Sequence, residues 1–267
     1  MKKIIALLLA LCMIAAFAGC AKSDAPAATT EAPATEATEA AETTEEVTAP
    51  AEAEGDVMSH ADYMAAELDS PVCIETYVQS HQSWWDNKLT VYAQSEDGAY
   101  FIYNMECSEE DAAKLVPGTK IRVNGYKTEW SGEVEIAEGA TFEILEGSYI
   151  AEPQDITGGL GAQNLIDWQN QKISVSGLTV VAANDEGAAF LYNWDGSGAA
   201  GNNNDLYFNV SDGTNTYTFT VESYLCGEGT DVYTAVTNLN VGDVIDVEGF
   251  LYWYNGAQPH VTSVTVQ

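Results

Sequence analysis

Aromatic residues gather in four short polar stretches of this sequence, H-Q-S-W-W-D-N-K at 81–88, T-E-W-S-G at 128–132, F-L-Y-N-W-D-G at 190–196 and L-Y-W-Y-N-G at 251–256. Exposed ring faces stack on sugar rings as well as on nucleobases, and neighbouring Asn, Gln and Asp side chains can bind hydroxyl groups. We therefore predict ligand contacts by Trp84, Trp85, Trp130, Tyr192, Trp194, Trp253 and Tyr254. The alternative is that these rings cap the ends of the folded units or pack between them.

Basic residues are scarce, which disfavours a nucleic-acid partner. Residues 57–267 hold 31 acidic and 6 basic side chains, a formal charge of −25, whereas a nucleic-acid groove needs cations to meet the phosphates. If nucleic acid were nevertheless the ligand, the contacts would come from Lys88, Lys120, Arg122 and Lys127. Otherwise these residues form a solvated edge that discourages strand pairing.

The sequence favours a protein without catalytic activity. The three histidines of residues 57–267 are His60, His81 and His260, and they follow no zinc-binding spacing. The sequence contains neither a G-x-S-x-G elbow nor a phosphate-binding loop. We predict no catalytic residue, no metal ligand and no cofactor. Calcium stays open as an alternative, because Asp185, Glu186, Asp195 and 202–205 offer oxygen ligands, although not at the spacing of an EF-hand.

A repeat supplies the elements that would position these residues. V-P-G-T-K-I-R-V-N-G-Y-K-T-E-W-S-G at 116–132 matches N-V-G-D-V-I-D-V-E-G-F-L-Y-W-Y-N-G at 240–256 with a constant offset of 124. Each copy predicts a tight turn, a strand with one apolar face, a glycine that lets the strand bend, and a second turn. The chain therefore contains two copies of one β unit, 57–150 and 151–267.

The order of elements in the first unit resembles that of an OB-fold. Three strands are predicted between 72 and 104, then a helix over 108–115, then a strand over 121–126 and another within 133–144. The OB-fold is a five-stranded Greek-key barrel with its helix between the third and fourth strands. We predict a mainly β protein with two tandem OB-like barrels, each with a short helix.

The second unit follows the same order with one difference. Strands are predicted over 172–182, 205–210, 217–221, 244–250 and 260–266, with 232–239 in the place of the helix. The segment 183–204 is an insertion between its first two strands. The OB-fold resemblance implies ligand contacts by the loops after strands one and four. Those loops are 80–88, 127–133, 183–204 and 251–258, the stretches that carry the aromatic residues.

The N-terminus resembles a bacterial lipoprotein signal. Lys2 and Lys3 precede an apolar run over 4–17, and Ala18-Gly19-Cys20 follows, like a lipobox with Phe17 where leucine is more common. The resemblance implies a signal peptide over 1–19 and acyl chains, such as palmitate, on Cys20. It also implies a protein anchored in the cell membrane and facing the extracellular side. An ordinary secretory signal is the alternative.

Residues 20–56 are expected to form a disordered, low-complexity tether after the acylated cysteine. This segment is almost wholly Ala, Thr, Glu and Pro, with ten acidic residues and one basic residue. Beyond it lie three cysteines, Cys73, Cys107 and Cys226, which match no disulfide framework and are expected to be reduced or buried.

These observations predict a surface-anchored, non-catalytic module that binds an oligosaccharide or a protein partner through its aromatic loops. The alternative is a single-stranded nucleic-acid-binding or nuclease-accessory OB-fold protein. A structural spacer that binds no small ligand is a third interpretation.

Overall fold

Two closed β-barrels follow each other along residues 56–267, the part of the chain that the computed structural model describes. The predicted signal peptide, lipid anchor and most of the tether lie outside these residues. Alternating burial along the strands fills both barrels with apolar side chains.

The first barrel begins with a short helix and contains six strands. In chain order its elements are α1 (His60–Ala65), β1 (Pro71–His81), β2 (Lys88–Gln94), β3 (Ala99–Glu106), α2 (Glu109–Ala112), β4 (Thr119–Trp130), β5 (Glu133–Ile136) and β6 (Thr141–Ser148). The sheet runs β1-β2-β3-β5-β4-β6, and pairing of β1 with β4 closes it.

The second barrel contains seven strands and repeats the same path. Its elements are β7 (Gln154–Asp155), a 3-10 turn (Leu165–Trp168), β8 (Lys172–Val181), β9 (Phe190–Tyr192), β10 (Leu206–Ser211), β11 (Thr216–Val221), α3 (Asp231–Thr237), β12 (Val244–Phe250) and β13 (His260–Val266). The sheet runs β7-β8-β12-β13-β11-β10-β9, and β8 pairs with β10 to close it.

Five strands close each barrel in the order one, two, three, five, four and back to one. In both barrels the third and fifth strands pair in parallel, β3 with β5 and β11 with β13, while the other barrel pairs are antiparallel. A helix lies between the third and fourth strands of each barrel. This topology confirms the predicted pair of OB-like Greek-key barrels.

The helices begin where the sequence places their caps. Ser59 accepts a hydrogen bond from the backbone N–H of Asp62 at 3.2 Å, and Ser108 accepts one from Asp111 at 3.1 Å. These contacts satisfy backbone donors that the first turn of a helix leaves free. The first helix begins only at His60, because Met58 is extended and pairs with Ile74 of β1.

The repeated glycines have a packing role. At Gly125 a Cβ atom would lie 2.6 Å from Cγ2 of Ile136, and at Gly249 it would lie 2.2 Å from the carbonyl oxygen of His260. Gly249 sits where the register between β12 and β13 shifts. Only a glycine fits at such a close approach of two strands, which explains why both copies of the repeat carry one.

Two predicted boundaries were wrong. Residues 127–133 are not a loop, because β4 continues to Trp130 and only Ser131 and Gly132, both with positive φ, turn the chain into β5. The predicted strand within 133–144 is two strands, of which β5 completes the barrel and β6 adds to its edge. The insertion 183–204 contains the short strand β9, which pairs with β10.

The two barrels pack against each other through an aromatic seam formed by Tyr92, Phe101 and Phe250, all buried. Tyr92 stacks on Phe250 with ring centroids 4.7 Å apart, and Phe101 meets Tyr252 edge-on at 5.3 Å. Because each barrel also encloses its own apolar core, the described region contains what it needs to fold as a unit.

Candidate ligand-binding cleft

A cleft of about 970 Å³ opens beside the aromatic seam, with one wall from each barrel. The first barrel contributes β3 and the hairpin between β4 and β5. The second contributes β10, β11, the insertion 183–204 and the segment 251–258. In an OB-fold, the face of strands two and three and the loops after strands one and four are the usual ligand-binding surface. The second barrel turns this surface toward the cleft.

Aromatic rings dominate the cleft walls, and several are largely exposed. The side chain of Trp130 is 60% exposed and that of Trp194 is 76% exposed, although both are large apolar rings. The aromatic residues that line the cleft are Phe101, Tyr103, Trp130, Trp194, Tyr207, Tyr252 and Tyr254. Exposed rings gathered at one concave surface are typical of a binding site rather than of a folded interior.

Strand alternation explains why these rings face the cleft. On β3, Ile102 fills the core of the first barrel, whereas Phe101 and Tyr103 on either side of it point outward. On β10, Phe208 lies in the core of the second barrel and Tyr207 faces the cleft. Successive side chains of a strand point to opposite faces, so a barrel wall carries both a core and a binding surface.

Carboxyl groups line the same cleft in low-polarity surroundings. Burial raises the pKa of Glu135 to about 7. Burial, reinforced by the nearby Asp205, also raises the pKa of Glu222 to about 7. The Asp205 carboxylate accepts hydrogen bonds from the backbone N–H of Ser223 at 2.9 Å and from its hydroxyl at 2.7 Å. None of the described residues that line the cleft is Lys or Arg.

Two buried polar contacts tie the barrels together behind the cleft. Glu133 is fully buried, and its Oε2 accepts a hydrogen bond from the backbone N–H of Trp253 at 2.9 Å. Burial raises the pKa of Glu133 to about 8. The hydroxyl of Tyr92 and Nδ1 of His260 lie 2.6 Å apart, and burial lowers the pKa of His260 to about 3, so this imidazole is neutral at pH 7.

Three of the seven predicted aromatic contact residues meet in the cleft: Trp130, Trp194 and Tyr254. They come from three of the four predicted loops and from both barrels. Gln82 and Gln258, which flank predicted aromatic residues, line it as well.

The other four predicted aromatic residues lie elsewhere. Trp84 packs on the first core and donates from Nε1 to the carbonyl oxygen of Cys107 at 2.9 Å. Tyr192 and Trp253 pack against the second core. Trp85 is 68% exposed but does not line the cleft. Trp84, Tyr192 and Trp253 thus pack within the fold, each against the core of its own barrel.

Three of the four basic residues singled out for nucleic-acid contact are paired with acidic side chains. Glu75 accepts from Lys120 at 2.6 Å and from Arg122 at 2.8 Å, and Lys88 pairs with Glu138. Lys127 differs, because it is only 5% exposed and its Nζ donates to the carbonyl oxygens of Met64 and Ala66 at the end of α1. These four side chains do not line the cleft.

Phe101, Tyr103, Tyr207 and Glu135 line the cleft but were not predicted from the sequence. The predicted contacts lie in loops, whereas these four side chains lie on strands. The sequence signal that could have found them is the alternation in A-Y-F-I-Y-N-M at 99–105. Its outward positions, Phe101 and Tyr103, are aromatic, whereas the outward positions of a solvated strand are usually polar.

The other side chains that could bind a metal or act as nucleophiles are dispersed. Cys73, Cys107 and Cys226 are free thiols. Among residues 56–267, no three His, Cys, Asp or Glu side chains are grouped to hold a metal ion, and the Asp195 carboxylate accepts from the backbone N–H of Ser197. Within the same residues, no helix is long and apolar enough to span a membrane.

Comparison with known proteins adds only distant similarities of fold. No family model and no curated protein matches the chain. The crystal structure of the tetrameric p202 HIN2 is similar over 75% of this chain and 96% of that one, with 15% identity and a TM-score of 0.33. The Ifi202 HINa domain in complex with 20-bp double-stranded DNA matches over 75% and 96%, with 14% identity and a TM-score of 0.32.

A replication protein A heterotrimer bound to single-stranded DNA is similar over 74% of this chain and 49% of that one, with 10% identity and a TM-score of 0.32. Scores this low add nothing to what the strand pairing already establishes, which is a pair of OB-like barrels.

Proposed function

We propose that this protein is a non-catalytic binding module whose cleft takes an oligosaccharide. The observation that carries the proposal is the placement of two exposed tryptophans, Trp130 and Trp194, on walls from different barrels of one cleft. A sugar ring presents apolar C–H faces that pack on aromatic rings, and two such rings can contact successive sugar units.

Polar side chains in the cleft support the same ligand class. Gln82, Gln258, Asn209 and Thr218 offer amide and hydroxyl groups beside the aromatic rings. Sugar hydroxyls both donate and accept hydrogen bonds, so they can pair with such groups and with the carboxylates. Because binding of this kind needs no cation, the acidic lining of the cleft does not oppose it.

Single-stranded nucleic acid is the second candidate. The structures of similar fold include DNA complexes, one of them with single-stranded DNA, and aromatic rings stack on bases as well as on sugars. The charge of this chain opposes it, since Glu135, Asp205 and Glu222 would face the phosphates without a Lys or Arg among the described lining residues. A protein partner is the remaining alternative.

Isothermal titration of residues 56–267 with oligosaccharides and with short single-stranded DNA, each at 50 and 300 mM salt, separates these ligands. We expect saccharide binding at both salt concentrations that weakens about tenfold, or by about 1.4 kcal/mol, in Trp194→Ala. Trp85→Ala is the matched control, because its ring is exposed but outside the cleft. Salt-sensitive DNA binding without saccharide binding would support the second candidate, and no binding to either would leave a protein partner.

We also propose that the module is displayed outside a bacterial cell by acyl chains on Cys20. The support is the charged start, the apolar run and Ala18-Gly19-Cys20, followed by an acidic low-complexity tether. More than one acyl chain would give stable anchoring. Incorporation of labelled palmitate by the full chain, and its loss in Cys20→Ser, tests this; equal labelling of both would contradict it.

A further inference from the structure

Glu135 stands out among the cleft carboxylates because its side chain has no partner among the described residues. Its side chain is only 8% exposed, it lines the cleft, and among the described residues it makes no hydrogen bond or ion pair. On β5 it alternates with Ile136, which lies in the barrel core, so Glu135 points away from that core and toward the cleft.

The other cleft carboxylates are satisfied by the protein itself. Asp205 accepts two hydrogen bonds from Ser223, and Glu222 accepts from the backbone N–H of Leu225 at 2.8 Å. Burying a carboxyl group costs free energy unless a partner compensates for the lost water. Glu135 is therefore the cleft carboxylate without a partner among the described residues, and Oγ1 of Thr220 is a buried hydroxyl of the cleft that also lacks one.

Aromatic residues share the cleft wall with Glu135. Phe101 is the direct neighbour of Glu135 in the parallel pairing of β3 with β5, and Tyr252 meets Phe101 edge-on at 5.3 Å. Tyr103 and Trp130 line the same wall. Aromatic faces attract organic cations through their quadrupoles, and the attraction is strongest where water is excluded.

We propose that the cleft selects a cationic saccharide, an amino sugar whose ammonium group pairs with Glu135 while its ring packs on the aromatic walls. This inference rests on the proposed function, since it names the chemistry of the saccharide. The ammonium group supplies the partner that Glu135 lacks. The formal charge of −25 over residues 57–267 attracts such a ligand from solution.

Two tetrasaccharides with the same backbone test the proposal, glucosamine tetramer with free amines and its neutral N-acetylated form. Titration of residues 56–267 at pH 6 and 150 mM salt is expected to show at least about tenfold tighter binding of the free-amine form. In Glu135→Gln the ratio of the two affinities is expected to fall to about one. Glu129→Gln, which makes the same Glu-to-Gln change at an exposed residue outside the cleft, is the control and should keep the preference.

Each outcome decides the proposal. Equal affinities of the two tetramers, or a preference that survives in Glu135→Gln, would overturn the inference and leave the cleft as a site for neutral saccharides. Binding of another oligosaccharide without binding of the free-amine tetramer would also overturn the inference. If no saccharide binds, the proposed function fails together with the inference. Thermal melting of each variant shows whether a lost preference reflects unfolding.

Discussion

Single buried carboxyl groups set how this protein responds to pH. Glu133 is held inside the contact between the barrels, where burial raises its pKa to about 8, and its Oε1 has no partner in the described region. The ordinary pKa of a glutamate side chain is 4.5. A carboxyl group whose pKa is raised by folding stabilises the folded state fully below pH 4.5, and the contribution is lost as the pH rises through about 8.

The change Glu133→Gln tests this residue. The amide cannot ionise and keeps an oxygen that accepts from the N–H of Trp253, so the free energy of unfolding at pH 9 should rise by about 1 to 3 kcal/mol, the usual cost of an unsatisfied buried polar group. At pH 5 the variant should differ little from the parent. Urea unfolding at both pH values measures the free energy of unfolding, with Glu129→Gln as the control. A Glu133→Gln variant that is less stable than the parent at pH 9 would contradict the prediction.

At the scale of single elements, the closely packed glycine in the fourth strand of each barrel, Gly125 and Gly249, is the feature that the sequence repeat encodes. In β12 the chain shifts register at Gly249, where the carbonyl oxygen of His260 occupies the space of a Cβ atom. This irregularity leads the chain into 251–258, which supplies Tyr252 and Tyr254 to the cleft. The strand therefore shapes the binding surface as well as the barrel.

Gly249→Ala should destabilise the protein by about 1 to 3 kcal/mol, because the added methyl group meets backbone that cannot move aside easily. Gly158→Ala is the matched control, since a Cβ atom there meets nothing within 4 Å and its φ is not positive. Thermal unfolding measures both. Equal melting temperatures for the two variants would show that the close approach at Gly249 does not constrain the strand.

The element order was predictable because strands such as β4, β8, β10 and β12 alternate between buried and more exposed positions, and each helix begins with a Ser or Thr cap. The hairpin at 131–132 was not, because the aromatic and polar residues of 127–130 read as a loop although they continue β4. The cleft was only half predictable. Trp130 and Trp194 stand out because they lie in polar stretches. The position of Glu135 in the cleft depends on how the two barrels pack together, which no local sequence pattern indicates.

At the scale of the whole molecule, the two barrels act as one unit. The seam joins them through Tyr92, Phe101 and Phe250, and the cleft beside it has walls from both. A single barrel would present its aromatic rings to water on an open face. Packing two barrels together converts two such faces into a concave site, which buries more of a ligand than either face could.

The most direct test of an inter-barrel site is the affinity of Trp130→Ala for a saccharide that the parent binds. Trp130 belongs to the first barrel, whereas the usual OB-fold binding surface at this cleft belongs to the second. We predict about a tenfold loss for Trp130→Ala and no change for Trp85→Ala, both in residues 56–267, measured by isothermal titration. An unchanged affinity in Trp130→Ala would place the ligand on one barrel alone and contradict a site shared between the two.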